Sequence, residues 1–386
     1  MRKIDYLNGL RGVAAFEVVF HHFILAFYPA LFFGGTWTNH LPAGTEDLAS
    51  KSVFTVLWDG NFAVCIFFVL SGFVLSHKFF LKKEHEIVTA SAVKRYFRLA
   101  LPVAFSILAA FILMKLSLFY NQQAGVAAGS GWLSSFWTFQ PDFQESLRQA
   151  FYGTFFLDTF QYNVVLWTIA HEFMGSFLIY AFLAIVGKAK NRHFAYIALI
   201  IVFWQTYYLA FVLGMFLSDV IAHERTLVRK YDKTRLIRTG LLLLGLFLGS
   251  FPVGRDPHGT MYAFMALPWL TDPGTLYHTL GAFFLMVVLL ESRRMQKLFS
   301  FRYFLFLGEI SFAMYLLHFI ILGSFTSFVF LQLSPIMPYQ YAAGLSFVAS
   351  LPIIFLTSYL VYKYVDSNAV KFSHTLYEKL FHHDSA

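Results

Sequence analysis

Charge is scarce in this chain. Asp, Glu, Lys and Arg make up 13% of its 386 residues, against roughly a quarter in a soluble domain. That shortage excludes a water-soluble domain of this length. Cysteine occurs once, at Cys65, inside an apolar run. An intrachain disulfide is therefore excluded, and cysteine usage leaves the redox compartment open. A cleavable secretory signal is not expected, because the first apolar run is too long for an h-region and no small-residue cleavage site follows it. No internal repeat, low-complexity tract or separate soluble domain interrupts the chain. Apolar residues fill it instead: 58% are hydrophobic and 20% aromatic, with 49 phenylalanines. A mean hydropathy of +0.62, sustained along the chain, implies a polytopic membrane protein.

A spanning helix takes roughly 20 apolar residues. On that measure ten spans are expected, near residues 12–33, 55–77, 97–119, 163–186, 194–206, 207–222, 237–252, 274–291, 304–331 and 341–364. The stretch 194–222 is too long for one untilted helix and short for two, and is divided at Gln205-Thr206-Tyr207-Tyr208. The expected fold class is an all-α transmembrane bundle. Basic residues collect in cytoplasmic loops. Segments 1–11, 77–98, 187–193, 223–238, 292–302 and the tail from 363 hold 25 of the 29 lysines and arginines. Only Lys51, Lys115, Arg148 and Arg255 fall elsewhere. The asymmetry implies an even number of spans with both termini in the cytoplasm: a membrane domain over 1–370 and a cytoplasmic tail over 371–386. It also assigns the net charge of +8 to topology and anionic lipid headgroups, not to nucleic acid. The longer polar segments, 34–54, 120–162 and 253–273, then face the other side. The last mixes Pro and Gly with apolar residues and is expected to dip back into the membrane.

Four ionisable side chains stand out in "NGLRGVAAFEVVFHHF" (8–23), which opens the first span. Arg11 and His22 are eleven positions apart, about 20° beyond three full turns, so they share one face at a separation of roughly 16 Å. Glu17 and His21, four apart, form a second polar stripe. Ionisable groups at this depth face a bundle interior or a water-filled path. The plain alternative is that Arg11 anchors the inner end and the histidines bridge helices.

The same residues carry a resemblance. "YLNGLRGVAAFEVVFHHF" resembles the opening signature of acyltransferase family 3, the integral-membrane acyltransferases, in which an arginine and a histidine stand with ten residues between them. "FFVLSGFVLS" (67–76), "KRYFRLALP" (94–102), "LWTIAHEF" (166–173) and "FLGEISFAMYLLHFII" (306–321) resemble further motifs of that family, in order. They point to Arg95 and Arg98, to Trp167 and Glu172, and to His318. The chain departs from the pattern at Asn8, where an aspartate is common. It departs again in "YKYVDSNAV" (362–370), where Asp366 replaces the usual glutamate and the proline is missing.

The resemblance implies an O-acyltransferase whose donor is acyl-CoA, acetyl-CoA by default, bound from the cytoplasm. The acceptor is a hydroxyl of a carbohydrate or other molecule on the opposite side of the membrane. His22 is the expected base, with Arg11, Glu172 and His318 beside it. Glu172 or His318 orients His22 or lines the acceptor path, and His171 and Glu17 compete for these roles. Arg11, Arg95 and Arg98 are expected to hold the donor's phosphates, and Ser71-Gly72 to admit its thin arm. No metal is expected, and the expected location is a bacterial inner or plasma membrane. A proton-coupled transporter, for which buried His and Glu are also typical, and a non-catalytic scaffold are the competing classes.

Overall fold

In the computed structural model, which describes residues 5–224 and 234–381, every regular element is helical. The main helices are α1 (Asp5–Phe27), α2 (Gly60–Lys82), α3 (His85–Lys115), α4 (Trp167–Ile185), α5 (His193–Phe203) and α6 (Tyr208–Glu224). They continue as α7 (Thr234–Gly249), α8 (Pro273–Glu291), α9 (Arg302–Ile321), α10 (Tyr339–Val361) and α11 (Ser367–Phe381). Each of the first ten overlaps one of the ten expected apolar stretches, with ends displaced by up to twelve residues, and the break between α5 and α6 falls at residues 204–207, at the expected division. Among the described residues, seven helical segments are long and apolar enough to cross a membrane. The chain is a helical membrane bundle. Of the basic segments counted above, residues 1–4, 225–233 and 382–386 lie outside the described residues.

Local chemistry explains the boundaries. Asp59 caps α2 by accepting from the backbone N–H groups of Asn61 and Phe62 at 3.0 and 3.1 Å. Asp272 caps α8 by accepting from Thr275 N at 3.0 Å, with Pro273 in the first turn. The first helix differs from expectation: it begins at Asp5, not at residue 12, and stops at Phe27. Pro29 disfavours helical backbone at the residue before it and has no N–H to continue the ladder. Two carbonyls left open by that stop are satisfied from elsewhere, Leu25 O by Ser130 Oγ at 2.8 Å and Phe27 O by Tyr339 OH at 2.6 Å. Because α1 starts early, Arg11 lies well inside it and not at its end.

The packing that fixes the site is that of α1 on α9. These two helices run the same way. A Cβ added at Gly12 would stand 2.3 Å from Gly308 N, and one added at Gly308 would stand 2.1 Å from Asn8 O. The backbones therefore touch where only glycine fits. Ten residues further along each helix, about 15 Å on, stand His22 and His318. α2 runs antiparallel to α1 and brings Gly60 against the His21 ring at one end and Ser71 towards Arg11's end at the other.

Gly308→Leu is expected to force the two helices apart. Overpacking a tight contact costs roughly 1–3 kcal/mol, and here backbone opposes it. The thermal midpoint of the detergent-solubilised protein should fall, and acyl transfer should fall with it. An unchanged midpoint would mean the contact does not set the packing.

Candidate active site

Two polar centres lie along the α1–α9 seam. The first is a cavity of about 840 Å³ at the end of the bundle where α1 begins and α2 finishes. Arg11, Ser71, Arg95, Arg98, Glu172 and Asp366 line its walls, with Lys78 and Lys371 among its further lining residues. Arg95 of α3 is buried and ion-paired with Glu172 of α4. Ser71 Oγ donates to the same carboxylate oxygen, Glu172 Oε1, at 2.8 Å. Ser71, expected beside the donor arm, and Glu172, expected to orient His22 or line the acceptor path, thus meet in this one cavity. Among the described residues Arg11 makes no ion pair with a carboxylate. One of its terminal nitrogens donates to Asn8 Oδ1 at 2.5 Å and to Gly308 O at 3.1 Å. Asn8, standing where the family often has aspartate, still supplies an oxygen to this arginine. Arg98 is exposed, lines the cavity and makes no hydrogen bond or ion pair among the described residues. A guanidinium that is not already paired is available to an anion.

Gly72 is not part of this wall. Its Cβ position faces α6, 2.2 Å from Phe211 O. The small residue serves helix packing, and of the pair only Ser71 reaches the cavity.

The second centre is a histidine pair nearer the middle of the bundle. His318 is buried, and its Nε2 lies 2.9 Å from His22 Nδ1. His318 Nδ1 faces Met314 O at 3.0 Å, and His22 Nδ1 also faces Val18 O at 3.0 Å. A carbonyl oxygen only accepts, so both Nδ1 atoms carry the hydrogen. In the neutral pair His318 Nε2 is then a lone pair, and the single His22 Nδ1–H is shared between it and Val18 O. It follows that His22 Nε2 is unprotonated, and it has no hydrogen-bond partner among the described residues. The chain of bonds ends in a free basic nitrogen.

The remaining candidates are elsewhere. His21 is turned onto the backbone of the α2 entry, with Nδ1 2.8 Å from Trp58 O. Glu17 has one carboxyl oxygen buried without a partner among the described residues and does not line the cavity. His171 bonds Trp167 O at 3.0 Å and is boxed by Phe68, Tyr207 and Tyr208, beside Trp167 itself. Glu172 belongs to the cavity, and among the described residues it is His318 that bonds His22.

Sequence reasoning did not find what stands between the two centres. Tyr315, one turn before His318, lies with its ring 5.8 Å from the His318 ring and 6.1 Å from Phe67. Thr168 Oγ1 donates to the Tyr315 hydroxyl at 2.8 Å, and that hydroxyl donates to Val165 O at 3.1 Å. Phe67, Thr168 and Tyr315 line the cavity; His22 and His318 do not. Tyr315 lies in a quoted motif, but only the fold turns it to the cavity tip. Lys78 and Lys371 were visible as charges, with nothing in their spacing to join them.

A cavity lined by basic side chains and lying close to a hydrogen-bonded histidine pair, inside a helical membrane bundle, fits a membrane-embedded group-transfer enzyme. The chain belongs to acyltransferase family 3: its residues 4–363 match that family's acyltransferase domain. It is an acyltransferase, and the transporter and scaffold readings fall away. It is 24% identical to acyltransferase clz18 of Cochliobolus lunatus over 390 residues, covering 83% of each chain. It is also 24% identical to O-acetyltransferase PaAT-1 of Phomopsis amygdali over 441 residues, covering 98% of this chain and 86% of that one. Acyltransferase R4 of a Phoma species is 23% identical over 343 residues, covering 72% of this chain and 71% of the relative. No solved structure matches the chain. The protein is a multi-pass membrane protein. All three of these relatives are fungal, so the expectation of a bacterial membrane has no support.

The Arg95–Glu172 pair yields a direct test. Removing one partner of a buried ion pair leaves an uncompensated charge and costs about 3–5 kcal/mol, whereas replacing both by apolar groups is often neutral. Glu172→Ala should lower the thermal midpoint more than the double variant Arg95→Met/Glu172→Leu does. Equal or additive losses would show that the pair is not coupled.

Proposed function

We propose that this acyltransferase moves an acyl group, acetyl by default, from cytoplasmic acyl-CoA to a hydroxyl of a glycan or other acceptor on the opposite side of the membrane. The observation that carries the reading is the free Nε2 of His22 at the end of the His318–His22 chain. In this reading Nε2 takes the proton of the acceptor hydroxyl as that oxygen attacks the thioester carbonyl carbon. The tetrahedral intermediate collapses, the C–S bond breaks, and the CoA thiolate takes the proton back from His22. Ester and free CoA thiol leave, and the enzyme is unchanged. His318 is a positioning residue: its neutral Nε2 holds His22 Nδ1–H, fixes the tautomer and steadies the imidazolium while it exists.

The donor end rests on charge. CoA is polyanionic, and the cavity presents Arg11 and Arg98 without carboxylate salt bridges, together with Lys78 and Lys371. The strong bias of lysine and arginine to alternate segments supports a cytoplasmic mouth for this cavity. A pantetheine arm entering there reaches the Phe67–Tyr315 layer, which must open for the thioester to meet His22. The name of one relative, an O-acetyltransferase, supports acetyl as the group transferred.

The test is radiolabelled acetyl-CoA with the purified protein and a panel of hydroxyl acceptors. Loss of a general base costs typically 10²–10⁴-fold in rate. His22→Ala should therefore abolish measurable transfer with acetyl-CoA binding intact, and His21→Ala should be milder. Arg98→Ala should raise KM for acetyl-CoA more than it lowers kcat, by roughly ten- to a hundred-fold for one lost charged hydrogen bond. Near wild-type transfer by His22→Ala, or a larger loss in His21→Ala, would overturn the assignment of the base.

A further inference from the structure

One face of the His22 imidazole is stacked by an aromatic side chain from a connecting segment. Trp132 sits in the short helix Gly131–Ser134, and its ring stacks on the His22 imidazole at 5.7 Å between centroids and 19° between planes. Its other neighbours are ring edges, Phe136 at 5.0 Å and Phe319 at 5.7 Å. The backbone that carries it is tied down. Ser130 Oγ donates to Leu25 O of α1 at 2.8 Å, and Asn121 Nδ2 donates to Leu133 O and Phe136 O at 2.9 Å each.

The indole itself is not tied. A buried tryptophan normally spends its N–H on a partner. Trp137, five residues on, is buried and donates to Tyr162 O at 2.9 Å, and Trp58 donates to Leu31 O at 3.3 Å. Trp132 is only half-buried, and its Nε1 makes no hydrogen bond among the described residues. The indole is held by ring contacts alone, so a turn about its χ angles breaks no hydrogen bond among the described residues.

We propose that the Trp132 indole is the acceptor-side lid of the histidine pair, closed in this structure, and that the acceptor takes its place against the imidazole with its hydroxyl at His22 Nε2. The proposal rests on the reading of His22 as the base and acyl-CoA as the donor. The space vacated by the indole is walled by Phe136 and Phe319, so it suits an acceptor with a flat C–H-rich face, such as a sugar ring or an alicyclic ring. The closed lid also has a chemical purpose. Without it water stands where the acceptor oxygen belongs, and His22 activates it in the same way. The products are then a carboxylic acid and CoA thiol, and the donor is wasted.

That side reaction supplies a test that needs no acceptor. Purified protein is given acetyl-CoA in buffer alone, and release of free thiol is followed with a thiol reagent, beside acetyl-CoA binding by calorimetry and a thermal melt. Trp132→Ala should raise thiol release several-fold over wild type with acetyl-CoA binding unchanged. Trp132→Phe keeps a stacking ring and should stay near wild type. Adding His22→Ala to Trp132→Ala should return release to background. A purely structural role predicts the opposite for Trp132→Ala, less release and a lower melt, and that result overturns the lid. Unchanged release with intact acetyl-CoA binding overturns the lid alone. Absence of acetyl-CoA binding by the wild type overturns the donor reading and the lid with it.

Discussion

The site depends on one contact between two backbones. Gly12 of α1 meets Gly308 of α9 so closely that a Cβ on either would enter the other helix. Because the two helices run the same way, that contact sets a register that persists along both of them. It puts the Arg11 guanidinium on the Gly308 carbonyl and, about three turns later, His22 on His318. Arginine, glycine contact and histidine pair are successive levels of one seam. The spacing between arginine and histidine in the first helix is thus half of a two-helix pattern. Its counterpart in α9 is the spacing between Gly308 and His318.

The membrane penalises each of these polar groups, and the bundle answers the penalty differently at the two centres. At the cavity the charges remain charges. Arg95 is neutralised by Glu172, and Arg11 spreads its hydrogens over an amide and a carbonyl. Deeper in, polarity is kept without charge, as two imidazoles whose hydrogens run one way from His22 to His318 to Met314 O. Between the centres lies a thin layer of Phe67, Thr168 and Tyr315, whose two hydroxyls satisfy each other and Val165 O. This layer can open without exposing an orphaned charge, which suits a barrier that a thioester must cross.

Much of this was legible in the sequence. Ten apolar stretches, the break near residue 205, and the polar positions of the first helix all follow from hydropathy and helical period. The motifs pointed to Arg11 and His22 of α1, Arg95 and Arg98 of α3, Glu172 of α4 and His318 of α9, and passed over Thr168 and Tyr315. What was not legible is pairing across helices. Spacing put Glu172 and His318 at similar depth and left both as partners for His22. Only the fold gives Glu172 to Arg95 and Ser71, and His318 to His22. Ser71 and Gly72 are adjacent in sequence but point to different neighbours, because consecutive helical residues diverge by about 100°. Trp132 escaped altogether. It lies in a connecting segment without periodicity, and its position over His22 is made by hydrogen bonds from Ser130 and Asn121 to residues far away in the chain or in another turn. The early stop of α1 was readable in principle, since Pro29 marks it.

The register of α1 on α9 is the claim on which the rest stands, and disulfide trapping measures it directly. The chain has one cysteine, the buried Cys65, so Cys65→Ser provides a clean background. His22→Cys is then paired in turn with Met314→Cys, His318→Cys and Leu322→Cys, and cross-linking under mild oxidation is timed in membranes. The pair at 22 and 318 should close fastest. Faster closure of 22 with 314 or with 322 would place the helices one turn out of this register, and the histidine pair would not exist.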